Sequence, residues 1–197
     1  MLESNTTIPS KTPWVLPYST EKLGQIYTLG RQLGKGHFGT TYHCTHNSTG
    51  RTYACKSISK KKLLHKDDYD NVRREVQIMQ HLSKSENFVK IHGIYEDLFS
   101  FHMVMELCEG GQLFDRIVQK GRYSERKAAK LIRNIVEGVQ DCHSHGIMHR
   151  DLKPQNLVFD TVKRDATLKI IDFGLSTFYK PGLFIFFLYF LFRSNFV

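Results

Sequence analysis

The stretch "HRDLKPQNLVFD", residues 149–160, sets a basic residue, an acid, a lysine and an amide close together, just ahead of apolar residues. Such a string suits either a polar turn between two buried elements or chemistry held on a loop. The string alone does not decide between them; charges elsewhere in the sequence bear on it. In "YACKSIS" the strand period of two puts Ala54, Lys56 and Ile58 on one face, so Lys56 lies among residues that should face a core. In "DDYDNVRREVQIMQHLS" Glu75 stands between Val72 and Met79 on the apolar stripe of a helix. An unpaired ammonium or carboxylate is costly to bury. The economical reading pairs Lys56 with Glu75 at the edge of a cleft, and the bland one lets each long stem reach water.

"GKGHFG", Gly34 to Gly39, joins two strands, whereas a dinucleotide fingerprint would join a strand to a helix. A glycine-rich hairpin lets tip amides approach phosphate oxygens, with Phe38 available to cover the tip; the competing reading is a merely flexible hairpin. In "LKIIDFGLS" Asp172 ends an apolar run and precedes Phe173 and Gly174. It is either a turn aspartate or a hard-oxygen ligand suited to Mg²⁺, which takes one or two carboxylates plus phosphates.

These residues need elements to position them. "IYTLGRQLG", "TTYHCTH" and "RTYACKSIS" read as three antiparallel strands, the second pair turned by "NSTG" at 47–50. The helix carrying Glu75 follows, with Asp67, Asp68 and Asp70 suited to its N-terminal end. "FVKIHGIYED" and "FSFHMVMELC" read as two further strands. Gly110 and Gly111 break the pattern, and the remainder is expected to be mostly helical. Ser124 is a candidate N-cap for "ERKAAKLIRNIVEGVQDCHSHG", whose Ala128, Leu131, Ile132, Ile135, Val136 and Val139 form one stripe and whose Gly146 suits its stop. The expected organisation is a flexible leader over 1–24, in which Trp14 and Val15 dock locally, a β-rich lobe over 25–109, a partial helical lobe over 110–182, and a hydrophobic tail over 183–197.

The composition, 41% hydrophobic and 24% charged, is close to the globular average and argues against general disorder. The formal charge of +9 attracts polyanions. However, groups such as Lys60 to Lys62 read as solvated helix faces, and no aromatic-interleaved basic strand or zinc spacing accompanies them, so nucleic acid is not expected as a partner. Cys44, Cys55, Cys108 and Cys142 are dispersed and no signal segment precedes them, which suits a reduced, intracellular chain. His143 and His145, two apart on a helix, point in different directions and do not make a metal pair. Leu2 is not the glycine that N-myristoylation requires.

Taken together, the glycine loop, the lysine on the third strand, the helix glutamate, "HRDLKPQN" and "DFG" resemble the signature of eukaryotic protein kinases in type, order and spacing. The resemblance runs from about Tyr27 to Gly182. "YACKSIS", "VRREVQIM", "VMELCEGGQLFDRI" and "RYSERKAA" are similar to plant calcium-dependent protein kinases. It implies an α+β, protein-kinase-like fold and a serine/threonine kinase using ATP and Mg²⁺ on protein substrates. Leu33, Gly34, Lys35, Gly36, His37, Phe38, Gly39 and Thr40 would cover the nucleotide. Thr41, Ala54 and Val158, with Leu33, would sandwich the adenine, beside Met105 as gatekeeper and the backbones of Glu106 and Cys108. Lys56 would hold phosphates and Glu75 would orient it. Asp151 would accept the hydroxyl proton, Lys153 would neutralise the phosphoryl group, and Asn156 and Asp172 would hold the metal.

The departures also carry expectations. Gln112 and Gln155 stand where kinases directed to basic substrates carry glutamates, which predicts a weaker preference for arginine in the substrate. After "STFYKPG" the family continues into an activation segment, later helices and, in the calcium-dependent branch, EF-hands. This sequence continues with "LFIFFLYFLFRSNFV", as a truncated or read-through product would. Its apolar run, Leu183 to Phe192, is short of the roughly 20 residues of a spanning helix, so membrane association is not expected. "KDDYDN" lacks the glycine of a calcium loop. The alternative to an enzyme is a catalytically incompetent nucleotide-binding or interaction fragment, monomeric or aggregation-prone, in the cytoplasm or nucleus.

Overall fold

The computed structural model describes residues 14–36, 39–121, 124–163 and 165–179. A short helix, α1 (Leu23–Ile26), leads into a five-stranded sheet: β1 (Tyr27–Lys35), β2 (Gly39–His46), β3 (Thr52–Ser59), β4 (Ile91–Glu96) and β5 (Ser100–Met105). The strand order is β1-β2-β3-β5-β4, with every neighbour antiparallel. The expected "NSTG" turn closes β2 on β3 with Gly50 at φ +68°, a conformation open to glycine at little cost.

Between β3 and β4 runs α2 (Lys66–His81). Asp68 starts it by accepting the backbone N–H groups of Leu64 and His65 at 2.8 and 2.9 Å, groups that a helix terminus otherwise leaves unpaired. The face predicted from spacing is buried: Val72, Val76 and Met79 join Ile58, Phe101 and Met103 in one core. Fully burying side chains of this size stabilises the fold by about 1.5–3 kcal/mol each.

The second lobe contains α3 (Leu113–Lys120), α4 (Glu125–Ser144) and four very short strands: β6 (Ile147–Met148), β7 (Leu157–Phe159), β8 (Leu168–Ile170) and β9 (Thr177–Phe178). β7 pairs with β8 and β6 with β9. Pairings two or three residues long leave no periodic signal, so the sequence of this lobe reads as mostly helical. Gly138 lets β8 approach α4, since a Cβ there would lie 2.7 Å from Ile170 Cδ1. Ser124 stands at the N-cap, but its side chain makes no capping bond. The stripe on α4 is only half covered: Leu131 and Ile135 pack against the core, while Ile132 and Val136 are each 57% exposed.

One expectation is extended and one needs correction. Trp14 and Val15 dock as the sequence suggests, and the hold runs on through Leu16 and Thr20: Val15 is buried, the Val15 and Leu16 N–H groups each donate to the Glu96 carboxylate at 2.8 Å, and Thr20 Oγ1 accepts the Glu96 N–H. An extended segment whose polar backbone groups meet a buried carboxylate has no reason to stay loose. Lys60, read as part of a solvated run, is enclosed, with Nζ 2.7 Å from Glu96 Oε1. The tail over 183–197 lies outside the described residues. Among the described residues, no helix is long and apolar enough to cross a membrane.

Candidate functional site

A cleft of about 1680 Å³ opens between the sheet and the second lobe. Its roof is the β1–β2 hairpin. Gly36 N–H donates to Gly39 O at 2.9 Å, closing the base of the loop. At Gly39 a Cβ would press within 2.7 Å of Ser57 O, so this glycine is needed for contact with β3. Gly34 lines the cleft, and a Cβ there would meet nothing within 4 Å, leaving open space beside the hairpin backbone. His37 and Phe38, expected at the tip, lie outside the described residues.

Lys56 points into the cleft as its strand parity predicts. Its Nζ lies 2.6 Å from Glu75 Oε1 and 3.1 Å from Asp172 Oδ1. The Lys56 and Glu75 side chains are 17% and 5% exposed, so neither reaches freely into water. Burial works to lower the Lys56 pKa, but the Glu75 and Asp172 carboxylates outweigh it and hold the ammonium above the ordinary lysine range. For Asp172, burial works to raise the pKa and Lys56 more than offsets it, so the carboxyl stays below its usual value.

Asp172 reaches Lys56 because the chain turns sharply after β8. Its φ is +63°, a strained value for a residue with a side chain. Phe173 anchors the turn from below, buried with its ring centroid 5.6 Å from Phe88 and 4.9 Å from His149. Gly174 keeps the turn close: a Cβ there would lie 3.3 Å from Asp172 Oδ1, so that carboxylate would have to give by a few tenths of an ångström.

The opening polar stretch forms the floor. Lys153 Nζ lies 2.8 Å from Asp151 Oδ2, and Asn156 Nδ2 donates to Asp151 O and Oδ2 at 2.8 and 3.0 Å. These bonds engage the amide nitrogen and leave the side-chain oxygen, Asn156 Oδ1, for a ligand. Ile171 N–H donates to Asn156 O at 2.9 Å, tying this loop to the residue before Asp172. His149, buried beneath, meets Ile171 O at 3.1 Å, and its backbone carbonyl accepts from Ser176 Oγ at 3.0 Å. Burial holds the His149 pKa below the usual imidazole value. Arg150, at φ +63°, donates from Nε to Leu175 O at 2.6 Å.

Leu33, Gly34, Lys35, Gly36, Gly39, Thr41, Ala54, Met105, Glu106, Cys108 and Val158 all line the same cleft, as do Gln112 and Gln155. Thr40 does not: strand alternation that sends Thr41 inward sends Thr40 to the other face. The Glu106 N–H is already spent on Lys90 O at 2.9 Å, which leaves its carbonyl for a ligand edge. Burial pushes the Cys108 thiol up to about 12.

Sequence reasoning missed Lys169. Buried on β8, its Nζ lies 3.1 Å from Glu106 Oε2 and so ties the strand connection at the back of the cleft to the second lobe. The signal was present, because a lysine between Leu168 and Ile170 breaks an apolar strand just as Lys56 does.

The geometry defines a class. A glycine hairpin, a lysine fixed by two carboxylates and an aspartate on a facing loop make a site for a phosphate-bearing ligand. The sequence profile of the protein kinase domain matches residues 27–187, and the chain belongs to the protein kinase family. Among curated relatives, it is 62% identical over 172 residues to calcium-dependent protein kinase SK5 of Glycine max, covering 87% of this chain and 34% of that protein. It is 59% identical over 178 residues to calcium-dependent protein kinase 11 of Arabidopsis thaliana, covering 90% of this chain and 36% of that protein. The chain thus spans about a third of the length of these relatives.

Proposed function

We propose that this chain carries the nucleotide-binding and phosphoryl-transfer machinery of a serine/threonine protein kinase, acting on protein hydroxyls with ATP and Mg²⁺. The observation that carries the reading is the charge chain Glu75–Lys56–Asp172 facing Asp151, Lys153 and Asn156 across one cleft. An ammonium has three donors. Glu75 and Asp172 take two, leaving one for a phosphate oxygen. Asp151, held by Lys153 and Asn156, is placed to accept a proton from a substrate hydroxyl, and the Lys153 ammonium stands ready to balance negative charge.

The donor set fits a hard cation. The second Asp172 oxygen and Asn156 Oδ1 are both hard ligands, of the kind that bind Mg²⁺ together with substrate phosphates. Bound there, the metal would neutralise charge on the phosphate oxygens. Glu75 acts by fixing Lys56, and the Glu106 carbonyl and Cys108 backbone offer polar contacts to an adenine edge above Val158 and Ala54.

Incubating the purified chain with radiolabelled ATP, Mg²⁺ and a serine peptide tests this. Transfer is expected, falling roughly 10²–10⁴-fold in Asp151→Asn because the proton acceptor is lost. Thermal stabilisation by Mg-ATP without any transfer would instead support a nucleotide-binding fragment, a reading favoured by the uncovered Ile132 and Val136. Gln112 and Gln155 are neutral where a carboxylate would pair with arginine, so we expect substrate choice to depend weakly on upstream arginine. We place the chain in the cytoplasm or nucleus.

A further inference from the structure

The fastening of residues 14–20 is more elaborate than a terminus needs, and it reaches the helix that carries Glu75. Arg73, two residues before Glu75 on α2, donates from Nε to Val15 O at 2.7 Å and from a terminal nitrogen to Trp14 O at 2.6 Å. Asp70 holds the same guanidinium at 2.7 Å. On the other side of the segment, the Glu96 carboxylate at the end of β4 takes the Val15 and Leu16 N–H groups. Thr20 Oγ1 accepts the Glu96 N–H at 2.8 Å and lies 3.2 Å from Glu96 O. Lys60, just after β3, closes the arrangement, paired with Glu96 and with Nζ 3.9 Å from the Trp14 ring centroid. The Val15 side chain joins the core cluster that contains Val72 and Val76 of α2.

One short segment therefore spans α2, the end of β4 and the exit of β3, with both its carbonyls and its amides held. A helix tied at its middle in this way cannot swing without breaking the two charge-assisted bonds from Arg73 and pulling Val15 from the core. We propose that residues 14–20 are a strap that positions α2, with Arg73 as its clasp, so that Glu75 stays on Lys56. Arg73 is a positioning residue: it acts on the cleft only through the helix it shares with Glu75. The proposal rests on the kinase reading for its significance, but not for its test.

Trp14 is the only tryptophan in the sequence, so its emission reports whether the strap is seated. Reactivity of Lys56 toward an amine-acylating reagent, followed by mass spectrometry, reports its pairing with Glu75. In full-length Arg73→Ala and Val15→Asp, Trp14 emission should shift to the red. Lys56 acylation should rise several-fold, because an amine no longer held by Glu75 is open to the reagent. Lys169, buried in the other lobe, should stay unreactive, which separates release of the strap from unfolding. Arg73→Lys should restore most of the wild-type behaviour.

Release of Trp14 with Lys56 reactivity unchanged would overturn the proposal, as would unchanged Trp14 emission in Arg73→Ala. If both variants unfold, the unaltered chain decides. Coupling between two sites is reciprocal, so saturating Mg-ADP should shift Trp14 emission to the blue, and bound nucleotide without that shift overturns the strap. A chain that binds no Mg-ADP at all would count against the kinase reading, while the acylation result would still judge the strap.

Discussion

Two lysine–glutamate pairs lie close together in this molecule and do different work. Lys56 and Glu75 meet at 2.6 Å on the wall of the cleft, where a third charge, Asp172, and open space complete the setting. Lys60 and Glu96 meet at 2.7 Å with side chains only 2% and 0% exposed, against a tryptophan ring and two backbone amides. The chemical pair is the same. What surrounds it decides whether a spare donor is offered to a ligand or the pair is closed off from one: Lys60 Nζ is buried as an ion-pair partner and makes no well-aligned hydrogen bond among the described residues. An inward charge in a sequence therefore points to a partner, and only the partner's surroundings say whether that is function or fastening.

Substitutions can break this contrast. Glu96→Ala should have the largest effect, destabilising the fold by about 3–5 kcal/mol because it strands Lys60 in the interior. Urea unfolding at neutral pH would measure it. Lys56→Met should cost roughly 10²–10³-fold in phosphoryl transfer by removing a preorganised donor. Its unfolding midpoint should move less than that of Glu96→Ala, since Glu75 lines the cleft and removing the lysine side chain opens it to that space, whereas Lys60 lines no part of that cleft. If the two variants exchanged behaviour, the division between working pair and fastening pair would be lost.

A smaller effect comes from the floor of the cleft. His149 is held neutral by burial, so its folded pKa lies below the unfolded one. The stability this contributes is present above the ordinary imidazole value and is lost as pH falls from there toward the folded pKa. The loss approaches about 1.4 kcal/mol per pH unit for one proton. Unfolding curves between pH 7 and 5 should show that slope in the wild type and a shallower one in His149→Gln. Smallest of all, Gln155→Glu should leave stability unchanged and raise the preference for arginine-containing peptides by a few-fold, about the worth of a partly exposed ion pair. A peptide array reads it directly.

The working pair was legible because both of its members break a local period: Lys56 a strand alternation and Glu75 a helical stripe. Asp151, Lys153, Asn156 and Asp172 were legible from a string whose order resembles a known signature, and the structure gathers them on one cleft. Lys169 broke an apolar strand in the same way as Lys56 and went unread. Glu96 and Lys60 gave weaker signals, one at the end of a strand and the other inside a lysine run. Their meaning depends on a segment distant in the chain, some 80 residues from Glu96, which no local window contains. Thr40 was grouped with its loop neighbours although strand parity turns its side chain away.

The seat of Gly39 beneath the Ser57 carbonyl has a consequence for how the hairpin tolerates change. Its root is wedged against a neighbouring backbone, so any side chain there must push two strands apart, whatever occupies the cleft. Gly34 has room for a methyl group, and a substitution there would trouble only an incoming guest. A saturation library scored separately for soluble yield and for nucleotide retention would split these glycines into architectural and hospitable kinds.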